Sequence, residues 1–267
     1  MNESWEYQSE SSSEEVKRGF TIIEVMLVLA ITGLMLVGVI AGTYSSIATQ
    51  RYNDSVRSFS EFLREIYAEV ISPQSLGEGN SDTEAVYGKI AVFGIDDGGD
   101  EDIVYTATLV GGVKPPRNTT NFIAELGSGD VKAHLFCGKE ASPGVEAQSS
   151  TLDEYIPMWE AKINDTSNHT LEGTLIIARS PASGTVHTAF TTTVYDIKGD
   201  CQGASNRLQQ DLQTSQSSFN TVSDVDFCIV SDNSRVVRDI RLAADGHNSS
   251  AISLIPTDGE DNKCPQK

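Results

Sequence analysis

Residues 17–41 read KRGFTIIEVMLVLAITGLMLVGVIA, and the rest of the chain is organised by what this stretch does. From Phe20 to Ala41 the only charged residue is Glu24, and there is no proline. A helix over residues 20–41 would be roughly 33 Å long, enough to cross the hydrocarbon core of a bilayer. Lys17 and Arg18 stand just before it and favour a cytoplasmic start, so the chain beyond about Ser45 is expected to be exported. A cleaved secretory signal fits less well, because its apolar core would be shorter and would end at a small-residue cleavage site. Upstream, MNESWEYQSESSSEEV (residues 1–16) is acidic and serine-rich, a composition expected to stay disordered.

Glu24 needs a reason. A carboxylate within hydrocarbon is costly unless it is protonated or paired, and no Lys or Arg lies between Arg18 and Arg51. A cut between Gly19 and Phe20 would create a partner, a positive α-amine on this chain or on a neighbouring one. Lys17-Arg18, Gly19, Phe20 and Glu24, followed by the apolar run, resemble the prepilin peptidase site of type IV pilins and pseudopilins. The resemblance covers residues 17 to about 66. It implies cleavage after Gly19, methylation of the Phe20 amine, and pairing of Glu24 with a neighbour's N-terminus during assembly. The implied partners are identical or related pilin subunits, the prepilin peptidase and an inner-membrane assembly platform. Two features depart from the family. Ala41 stands near the place where many pilins have a proline, although Gly33, Gly38 and Gly42 could weaken the helix there. The leader of residues 1–19 is also longer than the shortest ones.

Beyond Thr43 the pattern turns amphipathic. Tyr52, Val56, Phe59, Leu63, Ile66 and Val70 recur at spacings of four and three, with Arg51, Asp54, Arg57, Glu61, Arg64, Glu65 and Glu69 mostly between them. This is a helix with one face against a core. It should continue from the apolar segment and stop before Pro73, making a stem over residues 20–72, roughly 75 Å long. Residues 73–267 read as a β-rich extracytoplasmic head. Strands are expected at 86–95, 103–110, 131–136, 174–180, 187–197, 226–230 and 236–244. Loops rich in Gly, Ser, Asn and Pro are expected at 111–130, 138–153, 199–223 and 245–250. Without helical crossovers between the strands, one mainly antiparallel sheet packed on the striped helix is expected, an α+β fold. The C-terminal strands, with VVRDIRL, resemble the heads of minor pseudopilins without separating major from minor roles.

Net charge is −19, and residues 20–267 still hold 33 acids against 17 bases. Such a surface repels phosphate backbones, so nucleic acid is a poor partner. Arg235, Arg238 and Arg241 form the one local basic cluster of the head and read as surface salt-bridge formers rather than a DNA contact. The spacing of Cys137, Cys201, Cys228 and Cys264 excludes a CxxC pair. Four cysteines in an exported chain suggest two disulfides, for which there are three pairings. Cys228 with Cys264, stapling the tail, and Cys137 with Cys201 are favoured over four buried thiols in a cytosolic protein.

Enzymatic motifs are lacking: the four histidines are scattered, and there is no HExxH, GxSxG, SxxK or phosphate-binding loop. No cofactor is expected. Asp96, Asp97, Asp100, Glu101 and Asp102 could attract Ca²⁺, but they lack EF-hand spacing and read as a solvated turn. Three functions compete: a subunit of a pilus-like filament, a minor pseudopilin of a secretion or DNA-uptake machine, and a single-pass anchored binding or enzyme domain that does not polymerise.

Overall fold

The structure is a computed structural model that describes residues 20–72, 84–95, 103–116, 119, 121–137, 152–221, 223–231, 237–244, 246–255 and 262–265. The chain divides into two units, Met1–Ile47 and Ala48–Lys267. The boundary falls within the first helix, α1 (Ile22–Ile71).

In the first unit, α1 exposes apolar side chains on all sides; Phe20 is 78% and Leu34 76% accessible. In the second unit the striped half of α1 is an element of the core. Tyr52, Val56, Phe59, Leu63, Ile66 and Val70 are all buried, and the seven charged residues between them face outward. The helix ends at Ile71, one residue short of the Ser72-Pro73 step where proline bars continuation. Arg179 holds that end: its Nε donates to the Val70 carbonyl at 2.9 Å, and Nη2 donates to the Ile71 carbonyl. A cation at this terminus also complements the helix dipole.

The rest of this unit is two antiparallel sheets and two helices. The larger sheet joins β1 (Glu84–Phe93), β2 (Val104–Gly112), β3 (His134–Leu135), β4 (Asp153–Tyr155), β6 (Gly173–Arg179) and β7 (Val186–Thr191). Its order is β3-β2-β1-β6-β7, with β4 also on the outer edge of β2. The smaller sheet has the order β10-β9-β8-β5, from β5 (Lys162–Asn164), β8 (Val225–Val230), β9 (Arg238–Leu242) and β10 (Ile252–Ile255).

Alternation along the strands of the larger sheet sorts their side chains into two cores. Ile90, Val92, Tyr105, Leu109 and Ile176 pack with the helices α2 (Phe122–Gly127) and α3 (Cys201–Thr214). Ala91, Phe93, Val104, Leu175 and Ile177 face the other way, into a core shared with α1 and the smaller sheet. Covered on both faces, β1 and β6 read as continuous apolar runs, IAVF (residues 90–93) and LIIA (residues 175–178). Phe59 sits at the junction, with ring centroids 6.4 Å from Phe93 of the larger sheet and 5.4 Å from Phe227 of the smaller. Two buried tyrosines tie the helix to both sheets: Tyr52 donates to the Ile229 carbonyl at 2.9 Å, and the Tyr67 hydroxyl meets Thr188 Oγ1 at 2.6 Å.

Three expectations are corrected. The head has two sheets, because short β5 and β10 join β8 and β9 in a second one. The stretch 199–223 is largely helical: Asp200 caps α3 by accepting from Gly203 N–H at 2.8 Å, and Ala204, Leu208 and Leu212 are buried at helical spacing. The stretch 111–130 holds α2, capped by Asn121 accepting from Ala124 N–H at 2.8 Å.

Both disulfides form with the favoured partners, Cys137–Cys201 and Cys228–Cys264. The first ties the strand edge at β3 to the start of α3. The second fastens the C-terminal tail beside β8.

Candidate functional site

The start of α1 carries the residues singled out above, except that Gly19 and the leader (residues 1–19) lie outside the described residues. Phe20 precedes the helix, and Thr21 caps it. Thr21 Oγ1 accepts from the Glu24 N–H at 3.3 Å, and the Thr21 carbonyl accepts from Val25 N–H at 3.2 Å. Thr21-Ile22-Ile23-Glu24 thus has the T-x-x-E spacing of a capping box, which fixes where the helix begins. Glu24 occupies the first turn, where a negative charge suits the helix dipole. The Glu24 backbone N–H is thus satisfied by the cap, a relation that the T-x-x-E spacing already carried. Glu24 stands four residues from the Phe20 nitrogen that a cut after Gly19 would free.

The first unit keeps its polar groups within the helix. Thr32 donates to the Val28 carbonyl at 2.8 Å and Thr43 to the Val39 carbonyl at 3.0 Å. Both hydroxyls are therefore satisfied without water, as hydrocarbon requires. The helix runs through Gly33, Gly38 and Gly42 without interruption. α1 is long and apolar enough to cross a membrane. A helix apolar on every side is stable only in lipid or within a bundle.

Asp96, Asp97, Asp100, Glu101 and Asp102 lie outside the described residues, as does Arg235. Among the described residues no group of three or more His, Cys, Asp or Glu is placed to hold a metal ion. Arg241 is engaged by acids: its Nε is 2.6 Å from Asp226, and Nη2 is 3.6 Å from Asp239. Lys263 Nζ joins Asp226 at 2.9 Å. Asp239 is fully buried, and its carboxyl is pushed above the usual range by burial, then by the Asp226 charge. His187 and His247, distant in sequence, meet edge to face at 5.4 Å, with His187 stacked on Phe122 at 5.0 Å. Burial, and then the neighbouring His247, hold His187 below the ordinary histidine range.

The fold and this helix define a class: a pilin-like α+β protein, with an apolar N-terminal helix that continues into the core of an antiparallel head. Residues 16–40 match the prokaryotic N-terminal methylation motif. The chain thus carries the signature of type IV pilins and pseudopilins, which implies processing by a prepilin peptidase and assembly with pilin subunits. Neither a curated protein nor a solved structure matches the chain significantly.

Proposed function

We propose that the protein is a structural subunit of a type IV pilus-like filament, cut after Gly19 and assembled through its N-terminal helix. One observation carries the reading: the methylation motif at residues 16–40 coincides with a capped, wholly apolar helix start whose single charge is Glu24. Residues 1–19 act as the leader, 20–72 as the stem and 73–267 as the extracytoplasmic head. Before assembly the precursor is held in the membrane by its stem. On assembly the stems leave lipid for a bundle, in which Glu24 meets the Phe20 amine of a neighbour. A misplaced subunit would leave that carboxylate unpaired in an apolar interior, so the pairing enforces register.

Mass spectrometry of the N-terminal peptide from membrane and sheared-surface fractions of the native host tests this. A peptide beginning at Phe20 with one added methyl group is expected. Its enrichment in the sheared fraction marks a surface filament, and confinement to the membrane fraction marks a secretion or uptake pseudopilus. An intact N-terminus, or a cut elsewhere, refutes the reading. Glu24→Leu should leave membrane insertion unchanged and abolish polymer, whereas an anchored monomer would tolerate it.

A further inference from the structure

Side chains alternate across the smaller sheet. Phe227, Ile229, Ile240 and Leu242 of β8 and β9 enter the core shared with α1. Asp226, Cys228, Asp239 and Arg241 fall between them and point to the other face. There Cys228 stands opposite Asp239, and Asp226 opposite Arg241, so the four are neighbours. The C-terminal tail is docked on this face. Cys264 is bonded to Cys228, the Lys263 N–H donates to Asp239 Oδ2 at 3.3 Å, and Lys263 Nζ pairs with Asp226 at 2.9 Å.

Asp239 is the ill-matched member of this cluster. It is 0% accessible, and its Oδ1 has no hydrogen-bond partner. Among the described residues, the charged groups that face it are Asp226 on β8, Arg241 on β9 and Lys263 of the tail. Both cations are committed to Asp226, with Arg241 Nε at 2.6 Å and Lys263 Nζ at 2.9 Å. Arg241 stands 3.6 Å from Asp239, and Asp224 draws on the same guanidinium at 3.9 Å. A carboxylate buried beside a second one that holds the available cations is relieved by a proton. An oxygen without a partner also costs less to bury neutral than charged.

We propose that the tail is a proton-linked latch: closing the Cys228–Cys264 disulfide seals Asp239 in as a neutral acid, and opening it returns that proton to solvent. Little else fastens the tail, since the Lys263 side chain is 56% exposed and such an ion pair contributes weakly. In the reduced chain the tail leaves this face and water reaches Asp239. Burial, and then the Asp226 charge, raise the closed-state value above the ordinary 3.8. Closure is accordingly strongest below 3.8 and weakens as pH rises through the raised value.

Closure by glutathione consumes two protein thiols and one glutathione disulfide, and yields the protein disulfide and two glutathione thiols. No net proton appears below the thiol range of about 8.5, so a pH dependence there belongs to another group. The closure constant of Cys228–Cys264 is measured in the full chain in detergent, in glutathione buffers from pH 4.5 to pH 7.5. A diselenide catalyst keeps exchange running in acid, and peptide mass spectrometry after alkylation reads each disulfide separately. In the wild-type chain the constant should fall with rising pH, by at most about tenfold per unit. In Asp239→Asn it should stay level and exceed the wild-type constant at pH 7.5. The constant of Cys137–Cys201 should be the same in both chains. A wild-type constant that stays level, or one that runs parallel to that of Asp239→Asn, overturns the inference. So does a matching fall at Cys137–Cys201, because the whole head would then be responding. If Asp239→Asn does not fold, Asp226→Asn takes its place. Freeing Arg241 and Lys263 for Asp239 should flatten the wild-type slope, and an unchanged slope overturns the inference.

Discussion

Replacing Phe59 by alanine should destabilise the head more than any other single truncation on α1. Phe59 is 1% accessible. Its ring centroid lies 6.0 Å from Phe62, 6.4 Å from Phe93, 5.8 Å from Tyr155 and 5.4 Å from Phe227. These neighbours belong to α1 and to both sheets, so no single element can collapse into the void. Burial alone sets the cost of Phe→Ala at about 3–5 kcal/mol, and the lost edge-to-face pairs place this site in the upper half of that range. A loss of about 4 kcal/mol is a large share of the roughly 5–15 kcal/mol that holds an ordinary domain together. For a head of this size it corresponds to a fall in Tm of about 8–16 °C. Thermal unfolding of the full chain in detergent, followed by near-ultraviolet circular dichroism, measures it. Phe59→Leu, which keeps much of the volume, should lose less than half as much. A fall of under about 3 °C for Phe59→Ala would mean a loss near 1 kcal/mol and would refute the view that α1 closes the core between the sheets.

Arg179→Met removes both donors from the end of α1 and should cost about 1–2 kcal/mol in denaturant unfolding. Arg179→Lys should recover only part of it, since an ammonium cannot reproduce the guanidinium fork. His187, held below its ordinary value of 6.5 by burial, contributes stability that is present above that value and lost as pH falls through its depressed folded value. His187→Phe, which keeps a ring against Phe122, should therefore narrow the difference in Tm between pH 7.5 and pH 5. Closure of the Cys228–Cys264 loop, with a separation of 36 residues, is worth about 4 kcal/mol on the chain-entropy model. Cys228→Ala/Cys264→Ala should lower the denaturant midpoint accordingly, and an unchanged midpoint would show the tail to be uncoupled from β8.

The elements legible in the sequence were those whose periodicity had no competitor. The stripe Tyr52 to Val70 alternates fours and threes, and all six of its residues are buried. Pro73 marked the end of the helix to within two residues. In β1 and β6, buried on both faces, β-branched runs left no alternative to strands. α3 was obscured by its own first turns, where Gly203, Ser205 and Asn206 resemble a loop and only Ala204, Leu208 and Leu212 betray the helix. β5 and β10 have three and four residues, too few to show alternation, and their identity as strands comes from pairing with β8 and β9. The approach of His187 to His247 has no local signal at all, because it is made by the path of the chain between β7 and β10. Glu24 was conspicuous as a charge in an apolar run, whereas its capping relation to Thr21 was equally readable from spacing alone.

The lodging of α1 between two sheets has a mechanical consequence. A pull applied at Ala48 along the helix axis cannot peel the head open strand by strand. It must drag six buried side chains and the Tyr52 and Tyr67 hydroxyls past both sheets together, with Arg179 gripping the far end. Contacts loaded in parallel share the force, and rupture requires most of them to fail at once. Tension applied to the C-terminal tail enters differently, at one covalent point, through Cys264 to Cys228 in β8.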